Sequence, residues 1–187
     1  MNSISDSFLR AKHWQLFLLF VLGPAGVVIY GNGVILSALA LVSIFLYGSW
    51  LWFAGSFFNT ITKKSLRLPL TFFRLTLAFL LFYLLVAITI LQREVALPNA
   101  LVGFSAAVFL PLHFVAIFAA PYTFYFVSKS LLLAETGGPV RFSAYVGSLL
   151  LFWFSPLGVW VLQPRINRLY LADASQSRTN AMPKSQA

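Results

Sequence analysis

The sequence predicts an all-α integral membrane protein, a bundle of four transmembrane helices plus a fifth, proline-broken hydrophobic segment and an interfacial amphipathic C-terminal helix. Of its 187 residues, 60% are hydrophobic and 9% are charged, whereas soluble domains carry about 25% charged residues. The mean hydropathy is +0.87, and the apolar residues form runs close to the ~20 residues that cross a bilayer. Lipid is therefore expected to surround most of the chain. The runs cover residues 14–30, 34–58, 71–91, 100–120 and 142–162.

The net charge of +9 comes from basic residues, most of which stand at the edges of the apolar runs. This placement follows the positive-inside bias of cytoplasmic loops and suits contact with anionic lipid headgroups. A nucleic-acid-binding protein would instead gather its basic residues on one face, so nucleic acid is not expected as a partner. The residues at these edges are Arg10, Lys12, Lys63, Lys64, Arg67, Arg74, Lys129, Arg141, Arg165 and Arg168.

The first half of the chain predicts two spans that begin and end on the cytoplasmic side. Residues 1–13 are polar to amphipathic and are expected on that face. Run 14–30 has the charge order of a signal peptide but no A-x-A-like cleavage site, so it is interpreted as an uncleaved first span. Run 34–58 is interpreted as a second span that crosses back to the cytoplasmic side. Residues 59–70 form a strongly basic loop that we expect in the cytoplasm.

Two further runs predict the third and fourth spans. Run 71–91 leads into a short loop whose two charges cancel, as suits an external loop. Run 100–120 is followed by Pro121 and an amphipathic extension up to Glu135. Gly137-Gly138-Pro139 then predicts the end of that helix, because glycine and proline terminate helices.

The fifth run leaves the span count open. Five spans would place Arg165 and Arg168 outside, against the charge bias, whereas four spans keep both termini in the cytoplasm. Four spans require run 142–162 to enter and return, with a turn at Ser155-Pro156-Leu157-Gly158, and such backbone is tolerated only against protein. The run is also long enough for an ordinary span. The charge asymmetry favours four spans and a broken fifth segment.

The C-terminal region predicts an interfacial helix and a tail. Pro164 fits the first turn of a new helix, whose apolar face would lie in the membrane and whose arginines would meet phosphates. The apolar face would contain Ile166, Leu169 and Tyr170, and the basic face Arg165 and Arg168. Residues 1–172 are expected to form a single helical domain, and residues 173–187 a disordered polar tail.

Glu135 is the centre of the predicted polar site. A carboxylate at the C-terminal end of a helix is disfavoured by the helix dipole, so a cation is expected beside it. Arg141 follows the Gly-Gly-Pro turn, and Arg165 or Arg168 could approach if the fifth segment folds back. The alternatives are a solvated loop acid or a clamp between helices. The candidate polar or headgroup site comprises Glu135, Arg141, Gln163, Arg165, Asn167 and Arg168.

The sequence predicts no catalytic, metal or cofactor site. The acids lie in tails or loops, cysteine is absent, and H-E-x-x-H, G-x-S-x-G and the phosphate-binding glycine motifs are missing. His113, in the middle of a run, is a functional candidate because ionisable groups in membranes usually serve function. The alternative is a neutral histidine bonded to a carbonyl that Pro111 leaves without its helical donor. We therefore expect a protein that is not an enzyme.

The last quarter of the chain carries a recognisable pattern. It reads Lys129-Ser-Leu-x-x-Ala-Glu135, then Pro156-Leu-Gly158, then Trp160-x-x-Gln163-Pro-Arg-Ile-Asn167. This resembles the C-terminal signature of uncharacterised small polytopic bacterial inner-membrane proteins, a group with no known activity. The resemblance implies a multi-pass protein of the bacterial inner membrane with these residues on its cytoplasmic side.

The functional expectation is a non-enzymatic accessory or scaffold subunit that binds a membrane-protein partner or a second copy of itself. Small residues at helical spacing permit close helix approach in the fourth and fifth segments. These are Gly103 with Ala107, Ala116 with Ala120, Ser143 with Gly147, and Ala144 with Ser148. The alternatives are binding of anionic lipid headgroups at the inner interface, or a small transporter or channel lined by His113.

Overall fold

The computed structural model describes residues 3–30, 34–93 and 99–181, which are 91% helical and contain no strand. Side chains within the helices are described for residues 5–22, 25, 35, 38–88 and 109–179. The loops expected outside the membrane, around residues 31–33 and 94–98, lie outside the described residues. The helices are α1 Ser3–Arg10, α2 His13–Tyr30, α3 Val34–Ile61, α4 Leu70–Arg93, α5 Asn99–Thr136, α6 Phe142–Trp153 and α7 Ser155–Ala181, with a 3-10 turn at Lys64–Leu66.

The all-helical fold class predicted from the sequence is confirmed for the described residues. Within the described part of the chain, three segments are long and apolar enough to cross a bilayer, namely Ala38–Ile61, Leu70–Ile88 and Phe109–Thr136. His13–Leu22 and Phe142–Trp153 are shorter apolar helices. The count of four spans therefore stays a prediction.

The contacts within the chain define two compact units, and the single domain predicted for residues 1–172 stays a prediction. Unit 1 contains Met1–Phe17, Phe53–Leu68 and Val127–Ala187, and unit 2 contains Leu18–Trp52 and Pro69–Phe126. Aromatic side chains build the interior of unit 2, where the rings of Phe73 and Phe126 stack with centroids 4.2 Å apart. Trp50 and Phe73 are fully buried there.

The end of α5 follows the sequence closely. Gly137 has a φ of 64°, and its N–H donates to the carbonyl of Leu133 at 3.0 Å. This left-handed residue satisfies a carbonyl that the helix end would otherwise leave unpaired. The helix continues through Pro111 and Pro121 without a break, so run 100–120 and its amphipathic extension form one element.

The fifth hydrophobic run folds back on itself to form a helical hairpin of α6 and α7. The Arg165 guanidinium donates to Ser148 Oγ at 3.0 Å, although 17 residues of continuous helix would separate them by about 25 Å. The reversal is at Phe154, which has φ −92° and ψ 52°. It lies one residue before the predicted turn, and Pro156 instead occupies the first turn of α7, where proline is tolerated.

Two predictions for the C-terminal region are wrong. Pro164 lies inside α7 and does not start a helix. The helix continues across it because Leu162 and Ile166, on either side, are fully buried in the protein. The predicted apolar face is therefore covered largely by protein rather than by lipid. The tail expected to be disordered is helical up to Ala181, and residues 182–187 lie outside the described residues.

Candidate functional site

A two-pronged ion pair joins α5 to α7. Arg165 Nε donates to Glu135 Oε1 at 2.8 Å and Arg165 Nη2 to Oε2 at 2.5 Å. The side chains of Arg165 and Glu135 are only 25% and 20% exposed. The planar guanidinium matches the carboxylate with two parallel hydrogen bonds, and its third nitrogen bonds Ser148. Arg165 is therefore the cation that the Glu135 carboxylate requires at the end of α5.

Two amide side chains join α7 to the end of α1. Gln163 is fully buried, and its Nε2 lies 3.1 Å from the carbonyl oxygen of Phe8 and 3.4 Å from that of Leu9. It also donates to Asn167 Oδ1 at 2.9 Å, one helical turn further on. Asn167 Nδ2 in turn donates to the carbonyl of Ala11 at 3.4 Å. Since the last carbonyls of a helix lack helical donors, these amides satisfy the end of α1.

We call this group of side chains the α7 clasp. It consists of Glu135, Ser148, Gln163, Arg165 and Asn167. The hydrogen bonds of the clasp fasten α7 to its neighbours on two sides, with Gln163 and Asn167 bonding the end of α1 and Arg165, on the opposite face, bonding the end of α5 and the middle of α6. Its donors and acceptors are engaged with one another and with main-chain carbonyls, so the arrangement positions helices rather than presenting reactive groups.

The six residues of the predicted polar or headgroup site are not all brought together by the fold. Glu135, Gln163, Arg165 and Asn167 belong to the clasp, whereas the side chains of Arg141 and Arg168 are exposed. Arg141 is the N-cap residue of α6, and Arg168 lies on α7 away from the buried face. A separate cavity of about 380 Å³ adjoins the clasp, with Arg10 and Arg178 as its cations and Leu9, Asn167, Tyr170 and Leu171 as its other lining residues.

A second polar contact between the two ends of the chain was missed by sequence reasoning. The Tyr170 hydroxyl donates to Asp6 Oδ1 at 2.9 Å, and the Arg10 guanidinium lies 5.3 Å from the centroid of the Tyr170 ring. Burial is the main cause that raises the Tyr170 pKa, and the hydrogen bond and charge of Asp6 raise it further, while Arg10 opposes them. Asp6 and Tyr170 are 164 positions apart in the chain, and the sequence around neither residue indicates the contact.

The raised pKa predicts a loss of stability in alkali. The folded protein holds the Tyr170 proton more tightly than the unfolded chain, in which tyrosine titrates near ~10. The resulting stabilisation is complete below that pH and disappears as the pH rises towards the folded-state pKa. Thermal unfolding in detergent should therefore show a midpoint that falls above about pH 10, with a smaller fall in Tyr170→Phe. An identical pH dependence of the two proteins would contradict this account.

His113 lies in unit 2 and is paired with a tyrosine. Its Nδ1 is 2.5 Å from the Tyr83 hydroxyl on α4, and its ring also stacks near Phe109, with centroids 6.0 Å apart. The partner is thus a side chain 30 residues away, not the carbonyl freed by Pro111. An ionisable residue in an apolar run was the one sequence signal, and it pointed to the position but not to the partner.

The small-residue pairs contribute less to packing than expected. Ser148 and Ala116 are buried, but a methyl group on Gly147 would have no neighbour within 4 Å. The close approach in the hairpin is instead at Gly158, where an added Cβ would lie 1.8 Å from the Leu151 carbonyl oxygen. The Gly103 and Ala107 pair lies outside the residues whose side chains are described.

Neither clustered metal ligands nor known proteins assign a function to the chain. Within the described part of the chain, no group of three or more His, Cys, Asp or Glu side chains is placed to hold a metal ion. Comparison with family models, curated proteins and solved structures found no match. The resemblance based on the C-terminal signature therefore stays a prediction.

Proposed function

We propose that the protein is a non-enzymatic accessory or scaffold subunit of the bacterial inner membrane, with both termini on the cytoplasmic side. The observation that supports this is the α6–α7 hairpin, which the α7 clasp holds in one position while its end remains uncovered. Large apolar side chains are exposed there, and we call them the hairpin tip. They are Leu150, Trp153, Phe154 and Leu157.

The hairpin tip is suited to contact with helices of another membrane protein. In a bilayer, apolar exposure alone does not drive association, because lipid tails are as apolar as leucine. Large rigid side chains held in place by a polar junction lose little conformational freedom on binding, and Trp is favoured in such contacts. The clasp supplies that junction, since Gln163 and Arg165 lie on α7 about two helical turns after Leu157.

The two alternative functions receive less support. For headgroup binding, most of the polar atoms of the predicted site are used within the clasp, and only Arg141 and Arg168 stay exposed. For transport, a pathway is normally lined by polar groups, whereas the surface of the cavity beside His113 is almost wholly apolar. The scaffold function is therefore the one we test.

The proposal predicts a complex that depends on the hairpin tip. Membranes are solubilised in mild detergent, and the mass is measured by native electrophoresis and light scattering after subtraction of detergent. We expect a discrete species larger than the 20.8 kDa chain, with its composition given by mass spectrometry. In Trp153→Ala/Leu157→Ala, the bound fraction should fall about tenfold or more, as expected for losing two apolar side chains from a contact.

A comparably exposed leucine elsewhere provides the control. Leu75 on α4 is 65% exposed and Leu157 is 72% exposed, so Leu75→Ala, away from the tip, is the matched control for Leu157→Ala, which is also measured alone. The complex should persist in this variant. A protein that is strictly monomeric and free of partners would overturn the proposal, as would an equal loss of the complex in both variants.

A further inference from the structure

A cavity of about 290 Å³ lies in unit 2 between α3, α4 and α5. Leu51 of α3, Leu80 of α4 and Ala116 of α5 are among the residues that line it, and nearly all of its surface is apolar. Its polar lining residues are Tyr47, Tyr83, His113 and Thr123. Tyr83 and His113 bond to each other, and His113 is also exposed on the surface of α5. All three helices include a segment that is long and apolar enough to cross a bilayer, and the cavity between them is open on one side.

The size and lining of the cavity favour an apolar occupant over water. An apolar cavity of ~150 Å³ stays dry and takes up benzene, while water needs two to four polar partners. The cavity here has about twice that volume. Ile117 and Leu84 line it and are also exposed on the surface of the helices. Hydrocarbon can therefore enter sideways from the surrounding lipid.

The Tyr83–His113 pair adds one specific requirement. A phenol and a neutral imidazole carry two polar hydrogens between them, and their mutual hydrogen bond uses one. The other is on His113 Nε2 if Tyr83 donates, or on the Tyr83 hydroxyl if His113 donates. Among the described residues, the structure gives neither group another hydrogen-bond partner. A donor in an apolar environment is strongly stabilised by an acceptor.

We propose that this cavity binds an apolar molecule that carries a carbonyl group, and that the Tyr83–His113 pair donates to that carbonyl. Two membrane molecules have this chemistry, the acyl ester of a glycerolipid and the ring of a prenyl quinone. This ligand site goes beyond the scaffold function and does not depend on the hairpin tip.

Photolabelling of the purified full-length protein in detergent tests the site. Three probes are used, each with a diazirine in its chain: a diacyl phospholipid, its diether counterpart, which lacks the carbonyls, and a benzoquinone with a ten-carbon tail. We expect a carbonyl-bearing probe to label peptides of α4 and α5 about fivefold more than the diether probe, a ratio typical of one hydrogen bond. Competition by unlabelled diacyl lipid or unlabelled quinone then identifies the source.

Three variants distinguish the contribution of the cavity to labelling from that of the hydrogen-bond donor. Ala116→Phe fills the cavity and should abolish labelling by all probes, whereas Val115→Phe, at a residue that lines a different groove, should leave it unchanged. Tyr83→Phe/His113→Leu removes both polar hydrogens, so labelling should persist while the preference for the carbonyl disappears. If Ala116→Phe unfolds, as thermal melting would show, Gly48→Ala gives a milder filling, because its methyl group would displace Leu81 at 2.5 Å.

The outcomes that overturn the proposal are specific. Equal labelling of the wild-type protein by the diacyl, diether and quinone probes would exclude the carbonyl contact. Labelling of a folded Ala116→Phe at the wild-type level would exclude the cavity. Failure of both unlabelled competitors would exclude a saturable site of this chemistry.

Discussion

Replacement of Gly158 by alanine is expected to disrupt the α6–α7 hairpin. The added Cβ would lie 1.8 Å from the Leu151 carbonyl oxygen and 2.5 Å from its carbon. These are main-chain atoms, which cannot rotate away as a side chain does, so the two helices must separate. Overpacking in a core typically costs about 1–3 kcal/mol and occasionally more. Because backbone must move here, we expect a loss of at least about 3 kcal/mol in the free energy of unfolding.

A neighbouring glycine provides the control for this prediction. Gly147 lies in α6 of the same hairpin, and a methyl group there meets nothing within 4 Å. Gly147→Ala should therefore be neutral or stabilising by about 0.5–1 kcal/mol, since alanine favours the helix. Thermal unfolding in detergent and limited proteolysis of the hairpin would measure both variants. Similar unfolding temperatures for Gly158→Ala and Gly147→Ala would show that the helices do not approach closely at Gly158.

Features with a local cause could be predicted from the sequence. The membrane class follows from composition, the end of α5 from the glycines at 137–138, and the break in the fifth run from Pro156 and Gly158. Each signal acts within a few residues of the structure it determines. The prediction that Pro164 starts a helix is wrong because it also relied on a local preference. That preference was overridden by the burial of Leu162 and Ile166, which depends on distant segments.

The candidate site shows the same division between local and distant causes. The requirement of Glu135 for a cation follows from its position at a helix end, and the sequence predicted it. The choice of Arg165 over Arg141 depends on the fold-back of α7, which the sequence left open. The contacts of Gln163 with α1 had no signal at all, because main-chain carbonyls carry no sequence pattern.

Removal of the Arg165 charge is expected to destabilise unit 1. In Arg165→Met, the Glu135 side chain, which is 20% exposed in the wild-type structure, loses its cation, and Ser148 loses its donor. Breaking a fully buried pair in this way costs about 3–5 kcal/mol. With the partial exposure of this pair, we expect a loss of about 2 kcal/mol in the free energy of unfolding. Arg168→Met, at an exposed arginine on the same helix, should change it by less than about 0.5 kcal/mol.

A second change at Glu135 shows whether the cost comes from the stranded charge. Glu135→Gln/Arg165→Met removes both charges, so it should be more stable than Arg165→Met alone, and the difference from additivity measures the coupling. Arg165→Lys keeps the charge but loses the planar fork that reaches Glu135 and Ser148 together, so it should fall between wild type and Arg165→Met. Glu135→Gln alone completes the cycle, and unfolding in detergent at fixed pH and salt compares the wild-type protein with each variant. If the double variant shows only the sum of the single losses, Arg165 stabilises α7 through packing and not through Glu135.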